Sequence, residues 1–297
     1  MKIINAHVHM IELEGMLAKY PNLKLPSGIS TLAGIEQTLS LLNVDHLLTQ
    51  MDEAGIEKSL LFAVEAPIIY SSNEYVAGLC QRHPDRFLGF ASVDPKQKDA
   101  TTILENAILN LGLKGLKFHP PLQDFFPNDK SIFPVYEKAM ELNIPIVFHV
   151  GSTPFGPLCR LSQANPILID DVAVKFPKLR IMLTHLGTLW HNEAFMVVEK
   201  NPNVFIDTSA YLYEIPQLLT PELINRLGED KIIFGTDYPM PYAGKIHRMK
   251  EFVESIMKLD ISRQVKEKIF FINFDGFLKE STIKDFTLQE IASVIIK

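Results

Sequence analysis

The sequence predicts an α/β protein in which eight parallel strands alternate with helices and close into a (β/α)8 barrel, the TIM-barrel fold. Short runs rich in Ile, Val, Leu and Phe recur along the chain, and each is followed by turn residues and a helix-like pattern. Such runs are typical of parallel strands covered on both faces. A count of eight favours a closed barrel over an open sheet, and no GxGxxG or GxxxxGK[ST] motif of a nucleotide-binding open sheet is present.

The strands are predicted from the apolar runs, and each run ends in turn or polar residues. In chain order they are Lys2–His9, Lys58–Val64, Arg86–Val93, Leu113–His119, Pro145–Val150, Leu179–His185, Asn203–Thr208 and Lys231–Asp237.

The helices are predicted from the 3.6-residue apolar period and from their start and stop signals. In the first, apolar residues recur from Val44 to Met51, and Gly55 is a suitable C-cap. Asn165-Pro166 is a good N-cap and N1 pair for a later helix. The predicted helices are Val44–Ala54, Asn73–Arg82, Asp99–Leu111, Phe133–Leu142, Asn165–Phe176, Pro221–Leu227 and Ile246–Leu259.

Length and composition indicate one globular domain over residues 1–297, with further helices after about residue 260 packed outside the barrel. The long connection from Met10 to about Ser40 is expected to form a lid or substrate loop. With a net charge of −6 and no basic cluster, nucleic acid is not an expected partner. Two distant cysteines, no signal peptide and no apolar run long enough to cross a membrane predict a cytoplasmic protein.

The ends of the predicted strands carry residues that bind metals. Active sites of (β/α)8 barrels lie at the carboxyl ends of the strands, so these side chains are expected to meet. A single histidine in such a place is usually structural, and an HxH motif alone is weak, but the combination across four strands predicts a metal site. The predicted ligands are His7, His9, His149 and Asp237.

Alternation of side chains along a strand predicts which of them face into the barrel. His7 and His9 share a face with Asn5, and His185 and Asp237 are expected to face inward as well. The residues expected to face the helices are Ile4, Ala6, Val8, Ile146, Phe148, Met182, Thr184, Ile232 and Phe234.

Imidazoles with one carboxylate favour Zn²⁺, and Mn²⁺, Fe²⁺ and Co²⁺ also fit such a site. An open coordination position would activate water or polarise substrate oxygens. His185 is the predicted general acid/base because imidazole titrates near neutral pH. Asp237 is predicted both to bind the metal and to accept a proton, whereas Asp207 is expected to orient or cap rather than bind.

Four residues are predicted to contact the substrate: Lys117, His119, Arg160 and Trp190. Lys117 shares the inward parity of His119 and could bind a carboxylate, polarise a carbonyl or carry a bridging carbamate. His119 could contact metal or substrate. Arg160 is a candidate anion clamp or a solvated surface residue, and Trp190 either lines the pocket or packs in the core.

Seven segments resemble the amidohydrolase superfamily, in the branch that includes aminocarboxymuconate-semialdehyde decarboxylase and predicted metal-dependent hydrolases. The match extends over nearly the whole chain, although the family's C-terminal Asn-Ala appears here as Asn273-Phe274. The segments are His7-Val8-His9, His83–Phe87, Gly89–Pro95, Gly115–Pro120, Phe148–Gly151, Thr184–Gly187 and Phe234–Pro239.

The resemblance implies a distorted barrel with His7, His9, His149 and Asp237 around one metal ion and His185 as the acid/base. It also implies a small-molecule substrate and allows a homo-oligomer. Hydrolases and non-oxidative decarboxylases share these residues. The Lys-Phe-His-Pro sequence at 117–120 favours a hydrolase of an amide, ester or lactone, and a decarboxylase of a small aromatic or unsaturated acid is the alternative.

Overall fold

The computed structural model describes residues 1–24, 38, 41–242 and 245–279. Its strands occur in the predicted order, each within its predicted run and shorter than it, because the polar ends of the runs form loops. They are β1 (Ile4–His9), β2 (Lys58–Phe62), β3 (Phe87–Phe90), β4 (Leu116–Phe118), β5 (Ile146–Phe148), β6 (Ile181–Leu183), β7 (Val204–Asp207) and β8 (Ile232–Ile233).

The strands are all parallel and close into a ring. β1–β2–β3 and β4 to β8 form two sheets in sequential order. A bridge between Ala91 and Leu116 joins β3 to β4, and a bridge between Val8 and Tyr238 joins β1 to the segment after β8. The Ala6 N–H also donates to the Phe234 carbonyl at 2.9 Å. The predicted (β/α)8 barrel is therefore confirmed. It is distorted, because single bridges replace continuous strand pairing between β3 and β4 and between β1 and the segment after β8.

Helices surround the ring, and the seven predicted from the sequence occur at their predicted places. Asn43 caps the second helix by accepting from the Asp45 N–H at 2.8 Å, and Gly55 ends it with φ of 68°. The helices are α1 (Leu13–Lys19), α2 (Val44–Ala54), α3 (Asn73–Arg82), α4 (Ala100–Leu109), α5 (Pro120–Gln123), α6 (Phe133–Glu141), α7 (Ile167–Lys175), α8 (His191–Lys200), α9 (Ile215–Leu218), α10 (Pro221–Leu227), α11 (Met249–Met257), α12 (Arg263–Glu267) and α13 (Asn273–Leu278), with a π-helical stretch at Lys268–Ile272.

The helix α8, between β6 and β7, was missed by the sequence reading. It begins directly after Trp190, only a few residues beyond the end of β6, and its first residues are the polar His191 and Asn192. Its buried side chains do follow the helical period: Ala194, Phe195, Val197 and Val198.

Strict alternation in β1 is wrong, because the register shifts between Asn5 and Val8. Ile4 and Ala6 belong to the apolar cluster inside the barrel, while Val8 packs in the outer cluster with the helices. Asn5 points away from the interior and donates to the Thr236 hydroxyl at 2.8 Å. A β-bulge adds one residue and changes which side chains face in, and this brings His7 and His9 inward.

The alternation prediction also fails at β6 and holds at β5 and β8. Met182 lies in the inner cluster, so strict alternation from Met182 would point the His185 side chain away from the barrel interior. His185 instead adopts φ of 61°, a left-handed conformation that reorients the chain after the strand. The side chains that pack outward as predicted are Ile146, Phe148, Ile232 and Phe234.

The end of the described chain closes the amino-terminal side of the barrel. Phe274 and Phe277 of α13 join the apolar cluster inside the ring. The Asn273 side chain donates to the carbonyl of Ile232 at 2.7 Å and to that of Glu229 at 2.8 Å, which ties α13 to β8. The helices after residue 260 thus plug one end rather than packing only outside.

Among the described residues, no helix combines the length and apolar character needed to cross a membrane. In the predicted lid or substrate loop, Ile11, Met16, Leu23 and Thr38 line the main pocket. The stretches 25–37 and 39–40 of that loop lie outside the described residues.

Candidate functional site

Two imidazoles and a carboxylate meet at the carboxyl end of the barrel. His7 Nε2 lies 3.2 Å from His9 Nε2 and 3.1 Å from Asp237 Oδ1, and His9 Nε2 lies 3.3 Å from the same oxygen. His7 and His9 are buried, while the Asp237 side chain is 13% exposed. The three ligand atoms therefore form a compact triangle, and of the three residues Asp237 lines a pocket at this end of the barrel.

The triangle has the dimensions of a metal site. Ligands about 2.1 Å from a divalent ion and about 90–110° apart are separated by roughly 3.0–3.4 Å, which the observed separations match. His9 Nδ1 has no hydrogen-bond partner among the described residues, so the ring is positioned through its Nε2 side, toward His7 and Asp237. These three residues could hold one divalent metal ion.

Asp207, the last residue of β7, orients the site from behind. Its Oδ2 accepts from His7 Nδ1 at 2.7 Å, which assigns the proton of His7 to Nδ1 and leaves the Nε2 lone pair for a metal. Its Oδ1 accepts from the backbone N–H of His185 at 2.8 Å and of Ser209 at 3.0 Å. With its oxygens used in this way, Asp207 matches the expected orienting role.

A chain of hydrogen bonds runs from Asp207 across the site to the pocket wall. The Ser209 hydroxyl contacts Asp207 Oδ1 and lies 2.7 Å from His185 Nδ1. His185 Nε2 is 3.1 Å from His149 Nδ1, and His149 Nε2 is 2.9 Å from the Thr153 hydroxyl. Both ring nitrogens of His185 and of His149 are thus held in fixed positions.

His149, the fourth predicted ligand, lies outside the triangle. Among the described residues, two sets of ligand atoms lie within 4.8 Å of one another, those of His7, His9 and Asp237 and those of His7, His185 and Asp207, and His149 belongs to neither. Its two ring nitrogens face His185 and Thr153 instead. Its role as a ligand stays a prediction.

Burial favours the neutral form of four of the five histidines at the site by lowering their pKa. It lowers the pKa of His9 to about 4 and that of His185 to about 3, and it holds those of His119 and His149 well below the usual value. His7 differs, because Asp207 and Asp237 outweigh the effect of burial and of Lys117 and raise its pKa. Neutral imidazoles present lone pairs, as metal ligands must.

Both carboxylates are ionised. Burial alone would raise the pKa of Asp207, but His7 lowers it to about 2. Burial opposes ionisation of Asp237 too, yet His7 beside it keeps its pKa well below the usual value. A buried pair of carboxylates attracts a cation, and the Lys117 ammonium and a metal ion are the available kinds.

Lys117 lies inside the barrel, as its parity predicts, but not in the pocket lining. It is fully buried, its Nζ stands 4.7 Å from the centre of the Phe62 ring, and no hydrogen-bond partner of Nζ occurs among the described residues. Burial lowers its pKa to about 8. The predicted direct contact with substrate has no support in this placement, because the amine is buried and does not line the pocket.

The triangle opens into a pocket of about 1030 Å³, counting the solvent at its mouth. Asp237, His119, His149 and His185 line its floor. His119 stacks on His149 with ring centres 3.9 Å apart, so it reaches the pocket as predicted. The remaining walls are mostly apolar or hydroxylic.

Arg160 and Trp190 are predicted substrate contacts that the structure places elsewhere. Arg160 is exposed and Trp190 is half-buried, and neither is among the described residues that line the pocket. Trp190 precedes α8 and turns away with the loop after His185. Sequence proximity to a strand end did not place them at the site, because loop conformation decides where such residues point.

A profile of the amidohydrolase family matches residues 43–273. The chain belongs to the amidohydrolase family. The match spans most of the strands of the barrel, and the resemblance predicted from the seven segments is confirmed.

Two curated relatives of this amidohydrolase are decarboxylases. The 2-amino-3-carboxymuconate-6-semialdehyde decarboxylase of Dictyostelium discoideum is 26% identical over 241 residues, which cover 69% of this chain and 65% of that protein. The gamma-resorcylate decarboxylase of Rhodococcus jostii is 24% identical, over 76% of this chain and 89% of the relative. The chain thus spans somewhat less than two thirds of the first protein and most of the second.

A solved structure shares the fold. The 5-carboxyvanillate decarboxylase of Novosphingobium aromaticivorans, complexed with manganese and 4-hydroxy-3-methoxy-5-nitrobenzoic acid, superposes with a TM-score of 0.71 at 20% identity. The superposition covers 93% of this chain and 96% of that one.

These relatives contradict the hydrolase interpretation, which is therefore wrong, and they favour its carboxy-lyase alternative. The Lys-Phe-His-Pro sequence at 117–120 was a poor guide to the reaction. Lys117 is buried outside the pocket lining, and Pro120 begins α5. This sequence therefore reflects local packing as much as the chemistry of the reaction. The comparisons support an enzyme without settling its reaction.

Sequence reasoning missed two residues of the amidohydrolase site. Ser209 links Asp207 to His185, and Thr153 contacts His149. The signal for Ser209 was its position two residues beyond a strand-end aspartate, a common place for a hydroxyl that bonds back to the carboxylate. No comparable signal marked Thr153, which lies in a long loop.

Proposed function

We propose that this amidohydrolase is a metal-dependent, non-oxidative decarboxylase of a small aromatic or unsaturated carboxylic acid. The observation that carries the proposal is the triangle of His7, His9 and Asp237, which reaches a mostly apolar pocket through Asp237 and has His185 in the same lining. Decarboxylases among the relatives support the same reaction class. Zn²⁺ and Mn²⁺ both suit the donor set.

His7, His9 and Asp237 would hold the metal ion, with His149 as a further predicted ligand. When bound, the ion supplies a positive charge that binds substrate oxygens and stabilises negative charge as the carbon–carbon bond breaks. Asp207 keeps the His7 lone pair directed at the ion through the bond to Nδ1. The surrounding burial excludes water and strengthens these interactions.

The reaction needs one acid. The carbon–carbon bond to the carboxylate breaks, the electron pair stays on the remaining carbon, and a proton completes the new C–H bond as CO₂ leaves. We assign the proton to His185, because it lines the pocket and its Nδ1 is supported by Ser209. An incoming carboxylate favours the protonated imidazole, so substrate binding itself would load the acid.

Activity and metal dependence test the proposal together. Protein reconstituted with Mn²⁺ or Zn²⁺ is incubated in D₂O with a panel of hydroxybenzoic and unsaturated acids, and CO₂ release and deuterium at carbon are measured. We expect both with at least one acid, loss of both after chelation, and recovery when metal is restored.

The variant His185→Gln should lower turnover by about 10²–10⁴-fold, the range typical of a lost general acid, with metal content unchanged. His83→Gln, a histidine at the end of α3 away from the pocket, is the matched control. Metal-replete protein that releases no CO₂ from any acid of the panel would contradict the proposed reaction. Full turnover by His185→Gln would contradict the assigned acid.

A further inference from the structure

The walls of the pocket differ from its floor. Above the imidazoles lie apolar side chains and neutral hydroxyls. The apolar residues are Ile11, Met16, Leu23, Ile68, Ile69, Phe155 and Met240. The hydroxyl groups belong to Thr38, Ser152, Thr153, Tyr211 and Tyr242.

No lysine or arginine lines the pocket among the described residues. Of the stretches outside the described residues, 25–37, 39–40 and 243–244 contain neither residue, whereas 280–297 contains Lys284 and Lys297. The two basic residues predicted to contact the substrate do not line the pocket. Lys117 is fully buried, and Arg160 is exposed. Among the described residues, a metal ion held at the floor would therefore be the source of positive charge for an anion in the pocket.

We propose that the substrate carries a single carboxylate, directed at the floor, and that the rest of the molecule is flat, apolar and substituted only with neutral groups such as hydroxyls. This inference rests on the proposed function and specifies its substrate class. A second carboxylate would lie against apolar walls without a cationic partner, and an unpaired charge in such surroundings is strongly disfavoured.

The hydroxyls on the wall suit neutral substituents. Tyr211 packs edge-to-face on Tyr242 with ring centres 4.4 Å apart, which gives the pocket one aromatic wall. Burial raises the pKa of Tyr211 to about 12, so its hydroxyl stays protonated and can donate to a substrate hydroxyl or ether oxygen. A neutral donor of this kind can hydrogen-bond to a substrate hydroxyl, but it supplies no positive charge to stabilise a carboxylate.

Binding of two unreactive probes to the Mn²⁺-loaded protein tests the inference. Isophthalate and its monomethyl ester have the same ring and almost the same shape, but the ester has only one carboxylate. Isothermal titration calorimetry should show the monoester binding at least about tenfold more tightly, equal to about 1.4 kcal/mol. Equal or tighter binding of isophthalate, or no binding of the monoester, would overturn the inference.

A positive charge placed in the pocket wall should reverse the preference for the monoester over isophthalate. Met240 lines the pocket and is only half-buried, so Met240→Lys can be accommodated with its ammonium near the distal carboxylate. We expect Met240→Lys to bind isophthalate more tightly than the monoester, and the similarly sized Met240→Gln to keep the original order. An unchanged order in a folded, metal-loaded Met240→Lys would count against the inference.

The two proposals fail separately. If the monoester is preferred but no acid is decarboxylated, the binding inference stands and the reaction is wrong. If dicarboxylic acids bind and are decarboxylated better than their monoacid counterparts, the reaction stands and the single-carboxylate inference is wrong.

Discussion

At the residue scale, the site depends on one aspartate that does not face the pocket. Asp207 fixes the ring of His7 through one oxygen and holds the backbone of His185 and the Ser209 hydroxyl through the other. A single carboxylate therefore positions both a metal-binding side chain and the proposed acid.

Replacing this carboxylate should weaken metal binding without removing a ligand. Asp207→Asn keeps the shape but loses the charge that supports His7, and such substitutions behind a ligand typically lower metal affinity about 10–100-fold. Competition with a chromophoric chelator measures the change. Asp85→Asn, at an exposed position before β3, should bind metal like the unmodified protein, and an unchanged affinity in Asp207→Asn would refute the positioning role.

At the element scale, the position of His7 depends on the bulge in β1 and on the close approach of the segment after β8. The bulge in β1 turns His7 and His9 inward, and the segment after β8 passes close behind them. A Cβ atom on Gly235 would lie 2.9 Å from His7 Cβ and 3.3 Å from Ser209 Cβ. The space that Gly235 leaves is therefore part of the site.

Gly235→Ala should displace His7 and reduce metal content. The added methyl group overlaps a buried side chain held by a hydrogen bond to Asp207, so the triangle must open. We expect a clear loss of bound metal by elemental analysis, while circular dichroism shows a folded barrel. Gly276→Ala, where the new methyl meets nothing within 4 Å, should retain full metal content; equal metal content in Gly235→Ala would contradict the argument.

The last helix of the described chain should affect stability rather than chemistry. Phe277 is fully buried inside the ring at the end opposite to the pocket. Phe277→Ala should lower the free energy of unfolding by about 3–5 kcal/mol, measured by urea denaturation, with metal affinity preserved in the folded protein. Phe126→Ala, at a position 39% exposed, should have a small effect, and a similarly small loss for Phe277→Ala would argue against the plug.

At the scale of the whole molecule, the buried imidazoles link folding to pH. His9 and His185 have pKa values lowered to about 4 and about 3, whereas in the unfolded chain they titrate near ~6.5. The unfolded state therefore binds more protons below that pH, and the stability these residues contribute is lost as the pH falls from about 6.5 toward 4. His7 has a raised pKa and opposes this trend.

The metal-free protein should accordingly be less stable in mild acid. We expect the free energy of unfolding in urea, with chelator present, to fall by at least about 2 kcal/mol between pH 6.5 and pH 5. His185→Gln should reduce this slope, and His83→Gln should leave it unchanged. A stability that is constant or rises toward pH 5 would contradict the inferred burial of neutral imidazoles.

Two expectations about the whole molecule stay predictions: that residues 1–297 form one domain and that a homo-oligomer is possible. The closed ring carries the site residues, and the family profile over residues 43–273 includes His149, His185 and Asp237 but not His7 or His9.

The sequence by itself determined the order of the strands, most of the helices and the strand ends at which His7, His9 and Asp237 stand. These are local properties, because apolar periodicity and caps act over a few neighbouring residues. The carboxyl ends of parallel strands meet by the geometry of a barrel, so strand-end residues could be grouped before any contact was known.

Only the tertiary structure decided which of those side chains share a ligand triangle and what surrounds them. The bulge in β1, the left-handed turn at His185 and the burial of Lys117 depend on contacts between distant segments. The same is true of the placement of Arg160 and Trp190 away from the pocket. The spacing of residues along a strand determines which side chains share a face. Beyond the end of the strand, loop conformation and packing determine where side chains point, and the site lies there.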